Sequence, residues 1–303
     1  MKYLIIGAGA EGGCLAGFML AGGMDVSVID QGEQLDAIKK NGITVETEFR
    51  GTFTVHPTKV CSTHEYHDKP DVIILCVKDY SLEALIPYLS RHFVPGTIIL
   101  PMVSVFGTGI RLQTQLPEFN VLESFSSLAA IKTKPGVVRM LGNIFSIVFG
   151  VRELEMYTRY IDKISFDFRC CDIEAYVSDE ILPDTLRKFS FVSSISACGL
   201  YYNCTVGKMQ KDGEERETVI KLSQEIEKLG TAMGYRLAVD FVESNLELLD
   251  RILPDAFTSL QRDIEAGRPS EMEGIVLSVP VLGRQYGVEL PTYEKIANEI
   301  VKR

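Results

Sequence analysis

The sequence predicts an α/β fold: an N-terminal doubly wound sheet with appended antiparallel strands, followed by an all-helical C-terminal domain. Two observations carry this. The opening MKYLIIGAGAEGG sets an apolar run, Tyr3 to Ile6, against a glycine turn, and a second apolar run, Val26 to Ile29, closes on Asp30. Beyond about Glu174 the texture changes to long segments of helical period, punctuated by Pro254, Pro269 and Pro291.

The first unit has the order strand, glycine turn, helix, strand, acid, which is that of a Rossmann-type dinucleotide-binding fold. Gly7 permits the tight turn, Gly9 lets the backbone approach a pyrophosphate, and Gly12 lets the helix pack close to the strand. Phosphates then meet the N–H groups at the helix start, where the dipole is positive. Asp30 stands where a carboxylate accepts hydrogen bonds from a free ribose 2′-hydroxyl and repels a 2′-phosphate. The candidate cofactor residues are Gly7, Gly9, Ala10, Glu11, Gly12, Asp30 and Gln31, and NAD is favoured over NADP. Lys39 and Lys40 leave a route by which a phosphate could still be met.

Further along, Gly32–Asn41 predicts a short helix, and Ile43–Phe49 with Thr52–His56 an antiparallel pair around Arg50-Gly51. Asp71–Val77 is a continuous apolar run, as expected of a parallel strand covered on both faces. Ser81–His92 reads as a helix, and Thr97–Leu100 and Val121–Phe125 as strands. From Ala129 to Val151, apolar runs flank the turn Lys134-Pro135-Gly136, which predicts antiparallel strands appended to the sheet. The helical half comprises Leu186–Tyr201, Glu215–Met233, Phe241–Leu253, Ser259–Ala266, a long segment Glu271–Tyr286 that Pro280 should kink or split, and Thr292–Val301. The domains are set at 1–173, binding the dinucleotide, and 174–303, the helical substrate and catalytic domain, with the active site expected between them.

A chain of 303 residues can hold two such cores. The net charge of −10 argues against a general nucleic-acid or anionic-membrane surface. No apolar run reaches the roughly 18 residues of a membrane span, so the expectation is a cytoplasmic protein without nucleic-acid or membrane partners; a homodimer is left open. The 7 cysteines are odd in number, scattered and without a CxxC, and read as free thiols. Cys61, His64 and His67 lack a matching second ligand pair, so no metal is expected there.

Reduction of a carbonyl by a nicotinamide needs a proton donor for the developing alkoxide. All 4 histidines fall in the first half, and none but His56 follows a strand end. Lys188 is a better candidate. It lies in LRKFSFVSSISACGLYYN, an otherwise apolar and small-residue helix, where desolvation lowers a lysine's pKa; the alternative is a lysine snorkelling near a helix start. Lys78 follows the buried strand at its carboxyl end, where ligand contacts belong in such a fold. Ser259 and Asp263 share a helix face, and Glu271 begins the next helix, where simple capping would also explain a carboxylate.

Together these motifs resemble the ketopantoate reductase family over nearly the whole chain. The resemblance rests on the glycine motif, Val77-Lys78-Asp79-Tyr80, Ile99-Leu100-Pro101-Met102, Lys134-Pro135-Gly136-Val137 with Gly142, Arg187-Lys188, and Ser259…Asp263…Glu271. It implies reduction of a 2-keto acid with NADPH, with Lys188 as general acid, Ser259 on the substrate carboxylate, and Glu271 and Lys78 on the cofactor. The departures are also informative. Four amide positions of the family stand here as Ser104, Val192, Ser196 and Val206. An amide offers two donors and an acceptor; valine offers none. Ser104 and Ser196 would line a less polar pocket.

The resulting expectation is an oxidoreductase that transfers hydride from NAD(P)H to the carbonyl of a small 2-oxo acid, 2-dehydropantoate 2-reductase or a relative, in pantothenate biosynthesis. The alternatives are a dehydrogenase of a more apolar 2-keto or 2-hydroxy acid, and a catalytically decayed nucleotide-binding regulatory module. Joint retention of Lys188, Ser259 and Glu271 speaks against decay.

Overall fold

The structure is a computed structural model that describes residues 1–153 and 158–302. The described chain falls into two compact units, one of Met1–Val103 with Gly107–Ile181, the other of Ser104–Phe106 with Leu182–Arg303.

The first unit opens with β1 (Lys2–Ile6), α1 (Ala10–Ala21), β2 (Asp25–Ile29), α2 (Gly32–Asn41), β3 (Ile43–Thr47), β4 (Gly51–Val55), β5 (Lys59–Cys61) and β6 (Val72–Leu75). It continues with α3 (Leu82–His92), β7 (Ile98–Pro101), α4 (Thr108–Gln115), β8 (Asn120–Val121), β9 (Glu123–Lys134), β10 (Val137–Gly150), α5 (Arg159–Arg169) and β11 (Glu174–Val177). A parallel sheet runs in the order β5-β2-β1-β6-β7-β8. From β1 the chain moves outward to β2 and β5, then returns to β6 on the other side of β1. That reversal is the topological switch point at which such sheets bind ligands.

The strands read from Ala129–Val151 do not extend this sheet. They form the hairpin β9–β10, which builds a second sheet of order β11-β10-β3-β4. One edge of β10 carries two parallel partners, β3 along Val137–Arg139 and β11 along Ser146–Phe149. Glu174–Val177, placed by its texture at the start of the helical half, is therefore a strand; its short alternating run buries Ala175 against a ready edge. Strand β5 and helices α4 and α5 have no counterpart in the sequence reading; β5 is only 3 residues long, whereas α5 buries Ile161, Ile164 and Phe168 at helical spacing, a period that the reading passed over.

Helix α1 explains why two sheets are needed. Its sequence, AEGGCLAGFMLA, is apolar all round, and Gly12 through Met19 are all buried. A helix without a polar face must be covered on both sides. A Cβ on Gly12 would lie 1.9 Å from the Gly7 carbonyl oxygen, while one on Gly13 would lie 2.7 Å from Val138 and one on Gly17 2.2 Å from Val45. The first contact seats α1 on the parallel sheet; the other two seat it on β10 and β3. Phe18, fully buried, meets Phe53 and Phe145 edge-on, and burying one such side chain contributes about 1.5–3 kcal/mol.

The second unit is helical: α6 (Ile181–Tyr202), α7 (Val206–Met209), α8 (Glu214–Ala232), α9 (Phe241–Asp250), α10 (Ser259–Glu265), α11 (Ser278–Tyr286) and α12 (Pro291–Val301). The long segment from Glu271 stays helical through Pro280 but is widened just before it. A π-helical turn, Glu273–Leu277, precedes α11. Proline brings no N–H and its ring crowds the carbonyl four residues back, so a widened turn there relieves the conflict. Buried Glu225 accepts hydrogen bonds from the Thr292 and Tyr293 N–H groups at 2.8 and 3.0 Å, capping α12 from α8. Among the described residues no helix is long and apolar enough to cross a membrane, and all 7 cysteines are free thiols.

Candidate active site

In the first unit the glycine turn is built as the sequence requires. Gly7 has φ +93°, and a Cβ there would meet Val77 at 2.9 Å. Gly9 precedes α1 and no side chain caps the helix through it. A Cβ on Gly9 would meet nothing within 4 Å, so the space over this backbone is open. Open space at an uncapped helix start, bounded by glycines, fits the pyrophosphate of a dinucleotide.

Asp30 follows β2 and serves this turn directly. Its Oδ2 accepts from the Ala8 N–H at 2.6 Å and its Oδ1 from the Gln31 N–H at 2.8 Å. Burial pushes its carboxyl up from the usual range, opposed by those two N–H groups and by the charge of Lys132. Each carboxylate oxygen keeps a second lone pair, so accepting from a ribose hydroxyl remains open. Gln31 is exposed at the start of α2. Of the two lysines beyond it, Lys39 is paired with Glu65 at 3.2 Å.

Two residues that the sequence reading did not single out complete the turn. Buried Gln34 donates from Nε2 to the Ala8 carbonyl and accepts at Oε1 from the Gly136 N–H at 3.0 Å. It ties the glycine turn to the Lys134-Pro135-Gly136 hairpin. The available signal was its position one helical turn before buried Ile38, an amide on the apolar side of α2. Ser126 on β9 donates to Glu11 Oε1 at 2.6 Å. Lys78 is half-buried, two residues beyond Cys76, and its carbonyl accepts from the Ser81 N–H at 2.9 Å to close the 3₁₀ turn Asp79–Ser81.

In the second unit α6 carries Lys188. Ser190, Ser193, Ser194 and Ser196 are all buried on this helix. Three of them belong to an internal polar network. Ser193 donates to the Ile275 carbonyl at 2.6 Å and contacts the Tyr293 hydroxyl at 2.8 Å, Ser194 donates to the Ser190 carbonyl at 2.7 Å, and Asn245 donates to Ser190 at 2.9 Å. Lys188, Phe191 and Val192 instead form a half-exposed stripe at helical spacing, beside the buried run Ser193–Gly199. Ser196 is 2% exposed and sits about a quarter-turn from the stripe.

Other named residues are brought to the same helix. Ser259 is the exposed first residue of α10, whose N-terminus is closed by a capping box between Thr258 and Gln261. Gln261 packs on α6 so closely that a Cβ on Gly199 would lie 2.6 Å from it. Glu271 is half-buried at the start of the helical run that bonds to Ser193, and its carbonyl accepts from the Ile275 N–H at 2.9 Å. Asp263 is held by Arg268 at 2.8 Å. Ser104 is exposed, two residues before Phe106, whose ring stands 6.0 Å from that of Phe189, next to Lys188. Val206, at one of the departed amide positions, is buried, and its N–H donates to the Ala256 carbonyl at 3.0 Å.

A doubly wound sheet with this glycine turn is the architecture of a dinucleotide-binding fold. Comparison with known proteins is more specific: residues 3–153 match the model of the family "Ketopantoate reductase PanE/ApbA", and residues 180–302 match that of its C-terminal domain. The chain belongs to the ketopantoate reductase family, whose members use NADP or NAD. The 2-dehydropantoate 2-reductase of Pyrococcus abyssi is 25% identical over 301 residues, covering 96% of this chain and 94% of that protein. That of Aquifex aeolicus is 21% identical, covering 99% and 96%. Among solved structures, 2-dehydropantoate 2-reductase from Methylococcus capsulatus superposes with a TM-score of 0.88 at 22% identity, covering 100% of this chain and 96% of the other. A D-mandelate dehydrogenase in ternary complex with NADH and anilino(oxo)acetate gives 0.88 at 19% identity, covering 100% and 98%.

Proposed function

We propose that this protein is an NAD(H)-preferring reductase of a small 2-oxo acid with an apolar tail, with Lys188 as its general acid. The carrying observation is the stripe on α6: a lysine and Val192 one turn on, half-exposed together on a helix whose serines Ser190, Ser193 and Ser194 are turned inward. Hydride is the chemistry a reduced nicotinamide supplies when bound. Lys188 delivers a proton from Nζ to the carbonyl oxygen as the carbonyl carbon gains that hydride, so the oxo acid becomes a hydroxy acid and the neutral amine recovers its proton from water. The Ser259 hydroxyl donates to the substrate carboxylate, and Ser104 and Ser196 line the pocket. Gly7, Gly9, Ala10, Glu11 and Gly12 hold the pyrophosphate, Asp30 and Gln31 the ribose, and Lys78 and Glu271 complete the cofactor's contacts. In this reading the enzyme works in the cytoplasm.

The apolar tail follows from Val192 and Val206, which stand at amide positions of the family and offer no hydrogen bond to a substrate hydroxyl. Each missing hydrogen bond costs roughly 0.5–1.5 kcal/mol, so two of them lower kcat/KM for ketopantoate by about 5- to 150-fold. The D-mandelate dehydrogenase of like fold, solved with anilino(oxo)acetate, supports a pocket of this kind. The test is kcat/KM for ketopantoate against 2-oxoisovalerate and longer branched analogues, with NADH and with NADPH. A tenfold advantage for ketopantoate would overturn the apolar pocket. No turnover of any 2-oxo acid with either cofactor would overturn the reductase.

A further inference from the structure

We propose that Glu11 sets the redox preference of the cofactor site, its carboxylate favouring the oxidised dinucleotide, with its cationic nicotinamide ring, over the neutral reduced one. The proposal rests on the dinucleotide-binding reading and adds a role that the glycine turn alone does not have.

The position of the carboxylate carries it. Glu11 lies in the first turn of α1, where the helix start favours a negative charge. Its Oε1 accepts a 2.6 Å hydrogen bond from Ser126 of β9. Two residues earlier on that strand, Ser124 donates to the carbonyl of Pro101, the last residue of β7, at 2.9 Å. Next to Glu11, a Cβ on Gly12 would fall 2.8 Å from Cys76, the residue that follows β6. The carboxylate is thus anchored over the carboxyl ends of β6 and β7, on one side of the switch point. Asp30 stands at the end of β2, on the other side. A dinucleotide with its adenosine ribose at Asp30 and its pyrophosphate over Gly9 runs its nicotinamide half across the crevice toward β6. The Glu11 charge is felt there, since burial and this carboxylate together push the Cys76 thiol well up.

Oxidised and reduced nicotinamide differ by one positive charge. A carboxylate fixed near the ring attracts only the oxidised form, while all uniform contacts cancel in the comparison. At an effective dielectric of about 20, one such charge pair within about 10 Å corresponds to an affinity ratio changed by about tenfold or more. An enzyme with this residue holds NAD⁺ more tightly, relative to NADH, than one without it. On the enzyme the equilibrium is accordingly shifted toward NAD⁺ and the 2-hydroxy acid, the direction of reduction.

The experiment measures dissociation constants for NAD⁺ and NADH by calorimetry in the wild type, Glu11→Gln and Ser126→Ala. Glu11→Gln is expected to lose NAD⁺ affinity relative to NADH by about tenfold or more. Ser126→Ala leaves α1 intact and releases the carboxylate, so it shifts the ratio in the same direction by a smaller factor and keeps the test available should Glu11→Gln not fold. An unmoved NAD⁺/NADH ratio in every variant that binds both overturns the proposal. A wild-type protein that binds neither cofactor overturns the dinucleotide reading itself.

Discussion

Replacing Gln34 with methionine tests whether the glycine turn is held from outside its own motif. The side chain is 7% exposed and joins the Ala8 carbonyl on one side to the Gly136 N–H on the other. Methionine keeps the length and apolar packing but removes both hydrogen bonds. Each buried group left unpaired costs about 1–3 kcal/mol, so a loss of about 2–4 kcal/mol after partial relaxation is expected in the first unit. The hairpin and the turn would also lose their tie, and NADH affinity should fall by about tenfold or more through displacement of Gly9. Denaturant unfolding followed by far-UV circular dichroism reads the first quantity. The emission of bound NADH reads the second, against a chain without tryptophan. A loss below about 1 kcal/mol with NADH affinity unchanged would refute the reasoning.

The wild type should bind NADH more tightly than NADPH, and Asp30→Ala combined with Gln31→Arg should reverse the order, as titration of both cofactors would show; an NADPH preference in the wild type contradicts the role given to Asp30. The same double variant should be less stable, since the Ala8 and Gln31 N–H groups lose their acceptor. Glu65 is held down to about 2 by the Ser62 N–H, then by the Ser62 hydroxyl and Lys39. Its folded value lies below its unfolded one, so its contribution is present above the ordinary 4.5 and is lost as pH falls from there toward 2. Carboxyl NMR should place its midpoint near the low value, and a midpoint near 4.5 would show that the Ser62 contacts do not persist in solution.

Much of the first unit was legible because its signals are local. Gly7, Gly9 and Gly12 act through a turn, an approach and a contact within a few residues, and Asp30 ends a strand that pairs with β1 in register. The second sheet was not legible. Nothing in Val137–Gly150 says that its edge will take β3 at one end and β11 at the other, since parallel pairing is decided by where distant segments land. Gly13 and Gly17 carried the clue: their spacing marks a second close-packed side of α1, but it reads as ordinary small-residue content until Val138 and Val45 are in place. In the helical unit, periodicity located most helices within a few residues and Pro280 marked the widened turn that leads into α11. The serine-rich run of α6 was ambiguous, because a hydroxyl facing a partner carbonyl and one facing a ligand have the same spacing. Ser193 and Ser194 proved internal, and Lys188 and Val192 half-exposed.

The central claim is that Lys188 supplies the proton in reduction of a 2-oxo acid. Steady-state kinetics of Lys188→Ala with the best 2-oxo acid, beside a direct NADH titration, tests it most directly. The account predicts that kcat falls by about 10²–10⁴-fold while NADH affinity stays within about twofold, because the lysine acts on the substrate carbonyl and leaves the glycine turn untouched. A variant that keeps kcat within about threefold of the wild type would contradict it.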